Sequence, residues 1–228
     1  LHRYTGQDDI AVGSLIANRD RVELESLIGF FVNTLVLRTD LSNDPSFREL
    51  LALVRAVTLG AYEHQDVPYE KLLEEHRPPR DLSHNPLFQV MCVLHNTSRQ
   101  VLELPGLTVR PLEIDPGTAR FDVTIEFWET PEGLCARFEY STDLFDAATI
   151  ARMAEHLQAL LEGIVADPEQ RLSRLPLVTA DERQRLLVEW NTTAVSYPDD
   201  QCIHNMFETQ VTRTPDAMAV VCGDAYLT

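Results

Sequence analysis

The sequence Ile28-Gly-Phe-Phe-Val-Asn-Thr-Leu-Val-Leu-Arg38 is the most informative part of this chain about its architecture. Most of residues 31–37 are apolar or β-branched, and this composition predicts a buried strand. Gly29 allows a tight entry into that strand. Asn33 and Thr34 place polar groups inside it, so each needs a hydrogen-bond partner. We favour backbone hydrogen bonding for Asn33 over direct contact with a ligand.

Helix-like and strand-like segments alternate from this strand to about Pro168, which predicts an α/β layer with helices packed on a sheet. Asp44 is predicted to cap a helix in which Pro45 is the first residue. A second, shorter helix is predicted near Pro68. The apolar stripe expected on the first helix consists of Phe47, Leu50, Leu51, Val54 and Val57.

The segments further along the chain complete this layer. Residues 87–94 predict another apolar strand, and the turn signals within residues 96–119 predict an extended segment. Alternating apolar and polar residues over 120–129 and 134–140 predict a hairpin. Asp146 is predicted to cap a long helix. The apolar stripe of that helix consists of Ile150, Met153, Leu157, Leu160, Leu161 and Ile164.

The character of the sequence changes after Pro168. Thr179 and Glu182 form a capping-box pattern, which predicts a short helix. Residues 192–201 have a linker composition. A small helix that begins at Ile203 and an apolar strand over 217–222 are predicted to follow. The chain begins with Leu1 and stops where a second hairpin strand starts, so we expect it to be part of a longer polypeptide.

Composition limits the possible functions. The chain has 228 residues and a net charge of −17, a charge that disfavours binding to nucleic acid or to anionic lipid. No apolar run approaches the roughly 20 residues that span a bilayer, and no signal peptide is visible. We therefore expect a cytoplasmic protein. The cysteines form no CxxC pair, so we expect neither a zinc site nor a disulfide framework from Cys92, Cys135, Cys202 and Cys222.

Two further motifs contain side chains that could carry chemistry. In His64-Gln-Asp-Val-Pro-Tyr-Glu70, the imidazole of His64 could act as a base beside Asp66 or Glu70. We favour an architectural role, as a turn that begins a helix. In Arg80-Asp-Leu-Ser-His-Asn-Pro-Leu-Phe88, the adjacent serine and histidine have poor geometry for a nucleophile and base.

The three motifs, in this order and at this spacing, resemble the last three core motifs of condensation domains in nonribosomal peptide synthetases. The second motif departs from the family pattern at Tyr69, where the family has Phe. The site residues that the resemblance implies are mostly structural or tunnel-lining: Gly29, Asn33, Thr34, Arg38, His64, Gln65, Asp66, Pro68, Arg80, Asp81, Ser83 and Pro86.

The residue types of the third motif indicate structural roles. Asp81 and Ser83 would cap backbone groups in the turn before the Leu87 strand, and Arg80 would pair with a carboxylate. The family's catalytic His-His-x-x-x-Asp-Gly motif lies upstream of the first motif and does not occur in this chain. We therefore assign no catalytic residue, no bound cofactor and no metal to it.

The resemblance also implies a fold and a domain organisation. Condensation domains are chloramphenicol-acetyltransferase-like pseudo-dimers of two lobes, with the active site in the channel between them. Residues 1–168 would form the C-terminal lobe, a mixed sheet with packed helices, and part of 96–119 would form the latch to the other lobe. Residues 169–200 would be a linker, and 201–228 resemble the start of an adenylation domain.

This organisation implies partners and a reaction. The parent domain would join a donor acyl or peptidyl thioester to an acceptor aminoacyl thioester, both carried on the phosphopantetheine arms of upstream and downstream peptidyl carrier domains. Its other partners would be the N-terminal condensation lobe and the remainder of the adenylation domain, which would bind ATP and Mg²⁺. We expect the isolated chain to be inactive, because it lacks the histidine motif. We also expect it to be poorly soluble, because a lobe without its partner exposes an apolar interface.

Two alternatives remain open at this point. Some condensation-like domains only recruit or scaffold partners, and a degenerate upstream histidine motif would indicate such a module. An epimerising or heterocyclising relative is disfavoured by the adenylation-like end of the chain, because epimerisation domains usually close a module.

Overall fold

The computed structural model describes residues 1–19, 21–78, 85–95, 106–107, 109, 112, 114, 117–131, 133–196 and 201–228. The described chain divides into two compact units, Leu1–Ala180 and Asp181–Thr228. The first unit contains a large sheet and the second contains a small hairpin.

A five-stranded mixed sheet organises the first unit. Its strands are β1 (Asp9–Ile16), β2 (Asn33–Asp40), β3 (Val90–His95), β4 (Val123–Thr130) and β5 (Gly133–Tyr140), in the spatial order β2-β1-β3-β4-β5. The outer pairs, β1–β2 and β4–β5, are antiparallel, whereas β1–β3 and β3–β4 are parallel. The predicted mixed α/β layer and the β4–β5 hairpin are therefore confirmed.

The first two strands differ from the sequence-based expectations. The prediction did not include β1, although it lies between β2 and β3 in the sheet. The expected buried strand is β2, which begins at Asn33 rather than Phe31 and lies at the edge of the sheet. The prediction of a buried strand was wrong, since only Leu35 is buried in β2. At the edge of the sheet, β2 has a neighbouring strand on one side only.

The first long helix, α3 (Phe47–Glu63), begins at a different cap from the predicted one. Ser46 is the N-cap and forms a capping box with Glu49. Asp44 has a positive φ of 45°, and its carboxylate accepts hydrogen bonds from the backbone N–H and hydroxyl of Ser173 at 2.8 and 2.7 Å. The prediction that Asp44 caps the helix was therefore wrong. The expected stripe is only partly covered, since Leu51 is 57% exposed.

The other helices of the unit match the predictions more closely. Pro68 is the N-cap of α4 (Tyr69–His76). Asp146 caps the last long helix, α5 (Ala147–Ala166), by accepting a hydrogen bond from the Thr149 N–H at 2.6 Å, as predicted. Ile150 of its stripe is buried, as is His156. The short elements are α1 (His2–Thr5), α2 (Val22–Glu25) and a 3₁₀ turn at Leu172–Arg174.

The two ends of the first unit are joined by one arginine. The guanidinium Nη1 of Arg3 donates to the carbonyls of Leu172, Ser173 and Leu175, each at 3.1 Å. Leu175 is itself buried. These hydrogen bonds satisfy carbonyls of the 3₁₀ turn that lack partners within it.

The second unit is small and largely exposed. It contains α6 (Ala180–Gln184) from its second residue onward, and α6 runs into a π-helical turn at Arg185–Glu189. The helix α7 (Ile203–Arg213) and the hairpin of β6 (Val220–Cys222) and β7 (Ala225–Leu227) follow. The predicted small helix and hairpin are confirmed. Most of the segment 96–119, for which a latch was expected, lies outside the described residues. No helix in the described part of the chain is long and apolar enough to cross a membrane.

Candidate functional site

A cleft of about 590 Å³ opens beside the sheet of the first unit. Its lining comes from the end of β1, the start of β2, the turn into α4 and one face of β3, β4 and β5. The first two sequence motifs meet here, although about thirty residues separate them in the chain. The lining residues from these motifs are Phe30, Phe31, Val32, Asn33, Thr34, Asp66, Pro68, Tyr69 and Glu70.

Asn33 holds the two motifs together. Its Nδ2 donates to the carbonyls of Gln65 and Val67 at 2.8 and 2.9 Å. Its Oδ1 accepts from the backbone N–H groups of Thr34 and Tyr69 at 2.9 and 3.3 Å. The amide thus satisfies backbone groups in the turn before α4 that have no partner within a helix. Asn33 also lines the cleft, so the side chain that fastens the motifs forms part of the cleft surface.

An aromatic cluster, formed by Tyr69, Phe88 and Phe121, supports this part of the cleft. Phe88 is 1% exposed. The Phe88 ring stacks on Phe121 at a centroid distance of 5.2 Å and meets the Tyr69 ring edge-on at 5.9 Å. Beneath it, β1 has Gly13, where an added Cβ would lie only 2.2 Å from the Phe88 ring. The aromatic cluster therefore requires glycine at this position of the central strand.

Gly13 was not identified from the sequence. The signal that could have indicated it is a glycine within the largely apolar run Ile10–Ile16, because an isolated glycine in a strand often marks a close approach of another group.

The side chains of the second motif occupy different environments. His64 is exposed at the C-terminal end of α3, and its imidazole makes no hydrogen bond or ion pair within the described part of the chain. Neither Asp66 nor Glu70 is paired with it there. Gln65 contributes its backbone carbonyl to Asn33, whereas Asp66 and Pro68 reach the cleft. The structure thus brings the turn to the cleft without forming a histidine–carboxylate pair.

The third motif is only partly described. Arg80, Asp81 and Ser83 lie outside the described residues. Pro86 is exposed, while Phe88, at the end of the motif, enters the aromatic cluster. Asn85 donates from Nδ2 to the carbonyl of Arg120 at 3.1 Å, which ties this motif to the segment before β4.

The remaining residues of the first motif lie on either side of Asn33. Gly29 precedes the strand, and a Cβ there would lie 2.9 Å from the Phe31 ring. Thr34 pairs with Leu15 across the β1–β2 ladder and lines the cleft. Arg38, at the far end of β2, forms a two-pronged ion pair with Asp9, with its Nη2 at 2.7 Å and its Nε at 2.8 and 3.1 Å from the carboxylate oxygens. This ion pair lies away from the cleft lining.

The cleft rim, defined here as Leu27–Val32, is anchored by Arg19. Its guanidinium lies over the Phe31 ring, 4.2 Å from the centroid. The same group donates to the carbonyl of Leu24 and, at 3.5 Å, approaches that of Gly29. Despite this anchoring, the rim side chains Ile28 and Phe30 are exposed.

Carboxylates dominate the charge of the cleft. Among the described lining residues, Asp66, Glu70, Glu126 and Glu139 contribute acidic groups, and Arg120 is the single cation. Glu126 is ion-paired with Arg137 and lies 3.6 Å from Nε2 of His95. The described residues include no cluster of three or more side chains suited to binding a metal ion.

The hydroxyl of Tyr69 differs from the other buried side-chain polar atoms in its hydrogen bonding. Within the described part of the chain, it is the one buried side-chain polar atom with no hydrogen-bond partner. Burial raises the pKa of Tyr69, and the nearby charge of Glu70 raises it further. The phenol is therefore neutral at physiological pH.

Comparison with known proteins shows the family of this chain. The family model of the condensation domain matches residues 1–187. The chain belongs to the condensation domain family. Among curated proteins, chondramide synthase cmdD of Chondromyces crocatus is 48% identical over 221 residues, covering 97% of this chain and 6% of its own length. Malpinin synthetase of Mortierella alpina is 47% identical over 228 residues, covering 100% of this chain and 3% of its own length. The chain thus spans only a small part of these relatives.

Solved structures share the fold of this chain. A four-domain nonribosomal peptide synthetase bound to AMP and glycine superposes with a TM-score of 0.82 and 23% identity, over 96% of this chain and 18% of its own. The X-domain from teicoplanin biosynthesis superposes with a TM-score of 0.69 and 32% identity, over 77% of this chain and 41% of its own.

Proposed function

We propose that residues 1–168 are the C-terminal lobe of an amide-forming condensation domain in a nonribosomal peptide synthetase. A linker over 169–200 and the start of an adenylation domain over 201–228 complete the chain. Curated synthetases that match along all of it support this organisation, as does the four-domain synthetase structure that matches 96% of it. A cytoplasmic location follows for such an enzyme.

The observation that carries the proposal is the cleft at the junction of the first two condensation motifs. Asn33 fastens the start of β2 to the turn before α4, and both segments line the cleft. Its volume of about 590 Å³ lies within the range typical of small-molecule sites. A condensation domain needs such a surface to position acyl and aminoacyl groups carried on flexible arms.

In the reaction we propose, the α-amine of the acceptor attacks the thioester carbonyl of the donor. A C–N bond forms, the C–S bond breaks, and the donor's carrier keeps the free thiol of its phosphopantetheine arm. The amine loses a proton and the departing sulfur gains one. The family resemblance places the histidine motif that would act as the base in the other lobe, and this chain lacks that motif. This chain would contribute positioning, which can lower the barrier substantially by holding both reactants in one geometry.

The test uses the complete synthetase module that contains this chain, together with its neighbouring carrier domains. Both carriers would be loaded chemically with acyl-phosphopantetheine groups, so that adenylation specificity does not limit the assay. We expect a new amide on the downstream carrier, detected by mass spectrometry of the intact protein. A module whose upstream carrier bears no acyl group is the control, and it should form no amide, which shows that the acyl group of the product comes from the donor. Fully loaded carriers that form no amide would contradict the proposal.

A second candidate function is a recruitment module without catalysis. It is favoured by the X-domain from teicoplanin biosynthesis, which is 32% identical over 78% of this chain in a complex with OxyB. The DNA sequence upstream of Leu1 discriminates between the two functions. An intact His-His-x-x-x-Asp-Gly motif supports amide formation, and a degenerate one supports recruitment.

A further inference from the structure

Two neighbouring side chains of the cleft rim are almost fully exposed but differ in position. Ile28 is 105% exposed and Phe30 is 92% exposed, relative to the reference state of each residue. Phe30 lines the cleft, whereas Ile28 is not among the described lining residues. Only Phe30 is therefore placed to contact a group that enters the cleft.

The position of Phe30 allows its side chain to be changed alone. An exposed side chain on a cleft surface can change what the cleft accepts without changing the strand that supports it. Because Phe30 is exposed, its replacement should alter the stability of the fold very little.

The backbone that presents Phe30 is held in place on both sides. On one side, Arg19 lies over the adjacent Phe31 ring and donates to the Leu24 carbonyl. On the other, Asn33 fastens the start of β2 through its hydrogen bonds to the turn before α4. The Phe30 ring is therefore carried by an anchored segment, and contact with a ligand would require little ordering of the backbone.

The surroundings of Phe30 indicate the class of ligand. Apolar side chains from the rim and from the strands form one part of the lining, including Leu15, Phe31, Met91 and Val93. Carboxylates form another part, including Asp66 and Glu70. A bulky apolar group would bury surface against the first set, and an anionic group would be repelled by the second.

We infer that Phe30 is a specificity-determining residue, which contacts a bulky apolar aminoacyl side chain in the cleft and favours it over small ones, while the carboxylates of Asp66 and Glu70 disfavour anionic ones. This inference rests on the proposed function. It adds to that function the substrate class and the residue that selects it.

The test compares Phe30→Ala with Ile28→Ala in the complete module. Carriers loaded with leucyl, phenylalanyl, glycyl or aspartyl groups are varied first on the acceptor side and then on the donor side. Phe30→Ala should reduce the preference for leucyl or phenylalanyl over glycyl by about tenfold on one side, as expected for the loss of an apolar contact. Ile28→Ala should leave all ratios within about twofold of the unsubstituted module.

A binding measurement separates this inference from the proposed reaction. Isothermal titration of the module with amide-linked leucyl- and glycyl-pantetheine reports the same preference without turnover. Loss of the preference in Phe30→Ala, in a module that forms no amide, would support the inference while contradicting the proposed function. Equal losses for every aminoacyl group, equal effects of the two substitutions, or unchanged ratios on both sides would overturn the inference.

Discussion

Polar side chains form contacts at both ends of the β1–β2 pair, but the kind of interaction differs between the two ends. At the cleft end, where Ile16 pairs with Asn33, a neutral amide hydrogen-bonds to backbone groups of a distant turn. At the other end, where Asp9 pairs with Asp40, the carboxylate of Asp9 meets the guanidinium of Arg38. The side chains of Arg38 and Asp9 are 75% and 56% exposed, respectively.

Because the interactions differ, the two ends should contribute differently to the stability of the fold. An exposed ion pair is screened by salt and by water, so it adds little to stability. A partly buried amide that satisfies several backbone groups leaves those groups unpaired if it is lost, and the cost is larger. We therefore expect sensitivity to substitution to decrease from the centre of β1 to the cleft end and then to the ion-paired end.

The largest effect is expected between the two ends, at Gly13. Gly13→Ala would place a methyl group within the Phe88 ring, at 2.2 Å from its nearest atom, so the aromatic cluster or the central strand must move. Overpacking of this severity should lower the free energy of unfolding by about 3 kcal/mol. Urea unfolding of the chain, followed by circular dichroism, measures the loss.

The matched control for Gly13 is Gly60 of α3, where an added Cβ has nothing within 4 Å. Gly60→Ala should stabilise the helix by about 0.5–1 kcal/mol, because alanine loses less backbone entropy than glycine. Similar losses from both substitutions would show that the Phe88 contact does not decide the effect.

The next largest effect is expected at the cleft end. Asn33→Ala removes the acceptor and the donors that fasten the turn before α4, and should lower the free energy of unfolding by about 2 kcal/mol. Asn191→Ala is the control, since Asn191 also donates to two carbonyls but only within its own exposed turn. Hydrogen exchange should show faster opening of residues 65–69 in Asn33→Ala alone; unchanged exchange there would contradict the role of Asn33.

A smaller effect of opposite sign is expected in the aromatic cluster. Tyr69→Phe removes the buried hydroxyl that lacks a partner and restores the residue of the family pattern. It should raise the free energy of unfolding by about 1 kcal/mol, because the unsatisfied hydroxyl is no longer buried. The exposed Tyr62 provides the control, and Tyr62→Phe should change nothing measurable. Destabilisation by Tyr69→Phe would reveal a hydrogen bond to this hydroxyl.

The smallest effect is expected at the ion-paired end, and it should depend on pH. The hydrogen bond from Arg38 lowers the pKa of Asp9, so the folded state holds this proton less tightly than the unfolded state. The stabilisation is therefore present above the unfolded pKa of about 4 and lost as pH falls through the lower folded value. Asp9→Asn should differ slightly from the unsubstituted chain at pH 7 and converge with it in acid. A difference that persists at low pH, or in about 0.5 M salt, would exclude the ion pair as its cause.

Local signals predicted much of this fold. The alternation over residues 120–140 predicted the β4–β5 hairpin, and the Asp146 cap predicted the start of α5, because each signal acts between residues close in sequence. The N-cap of α3 was assigned to Asp44 because Pro45 suits a first helical position. The sequence also carried the competing Ser46–Glu49 capping box, and this pairing determines the observed start.

The cleft depends on contacts that no local signal contains. Asn33 was recognised as a polar residue that needs partners, but its acceptors lie more than thirty residues away and are backbone carbonyls without a sequence signature. The requirement for Gly13 arises from Phe88, a residue far along the chain that follows α3 and α4. The family motifs indicated which segments matter, whereas the way they meet required the tertiary structure.

The contact between Arg3 and the carbonyls at Leu172–Leu175 has a consequence for exchanging domains between synthetases. Arg3 lies 169 residues before Leu172 and 172 residues before Leu175, so these hydrogen bonds can form only after Leu175 has been synthesised. A recombination junction placed before Leu175 would separate the guanidinium from its acceptors and leave both chimaeras with unmatched ends. A junction placed between Leu175 and the start of α6 keeps Arg3 and its acceptors in the same parent sequence.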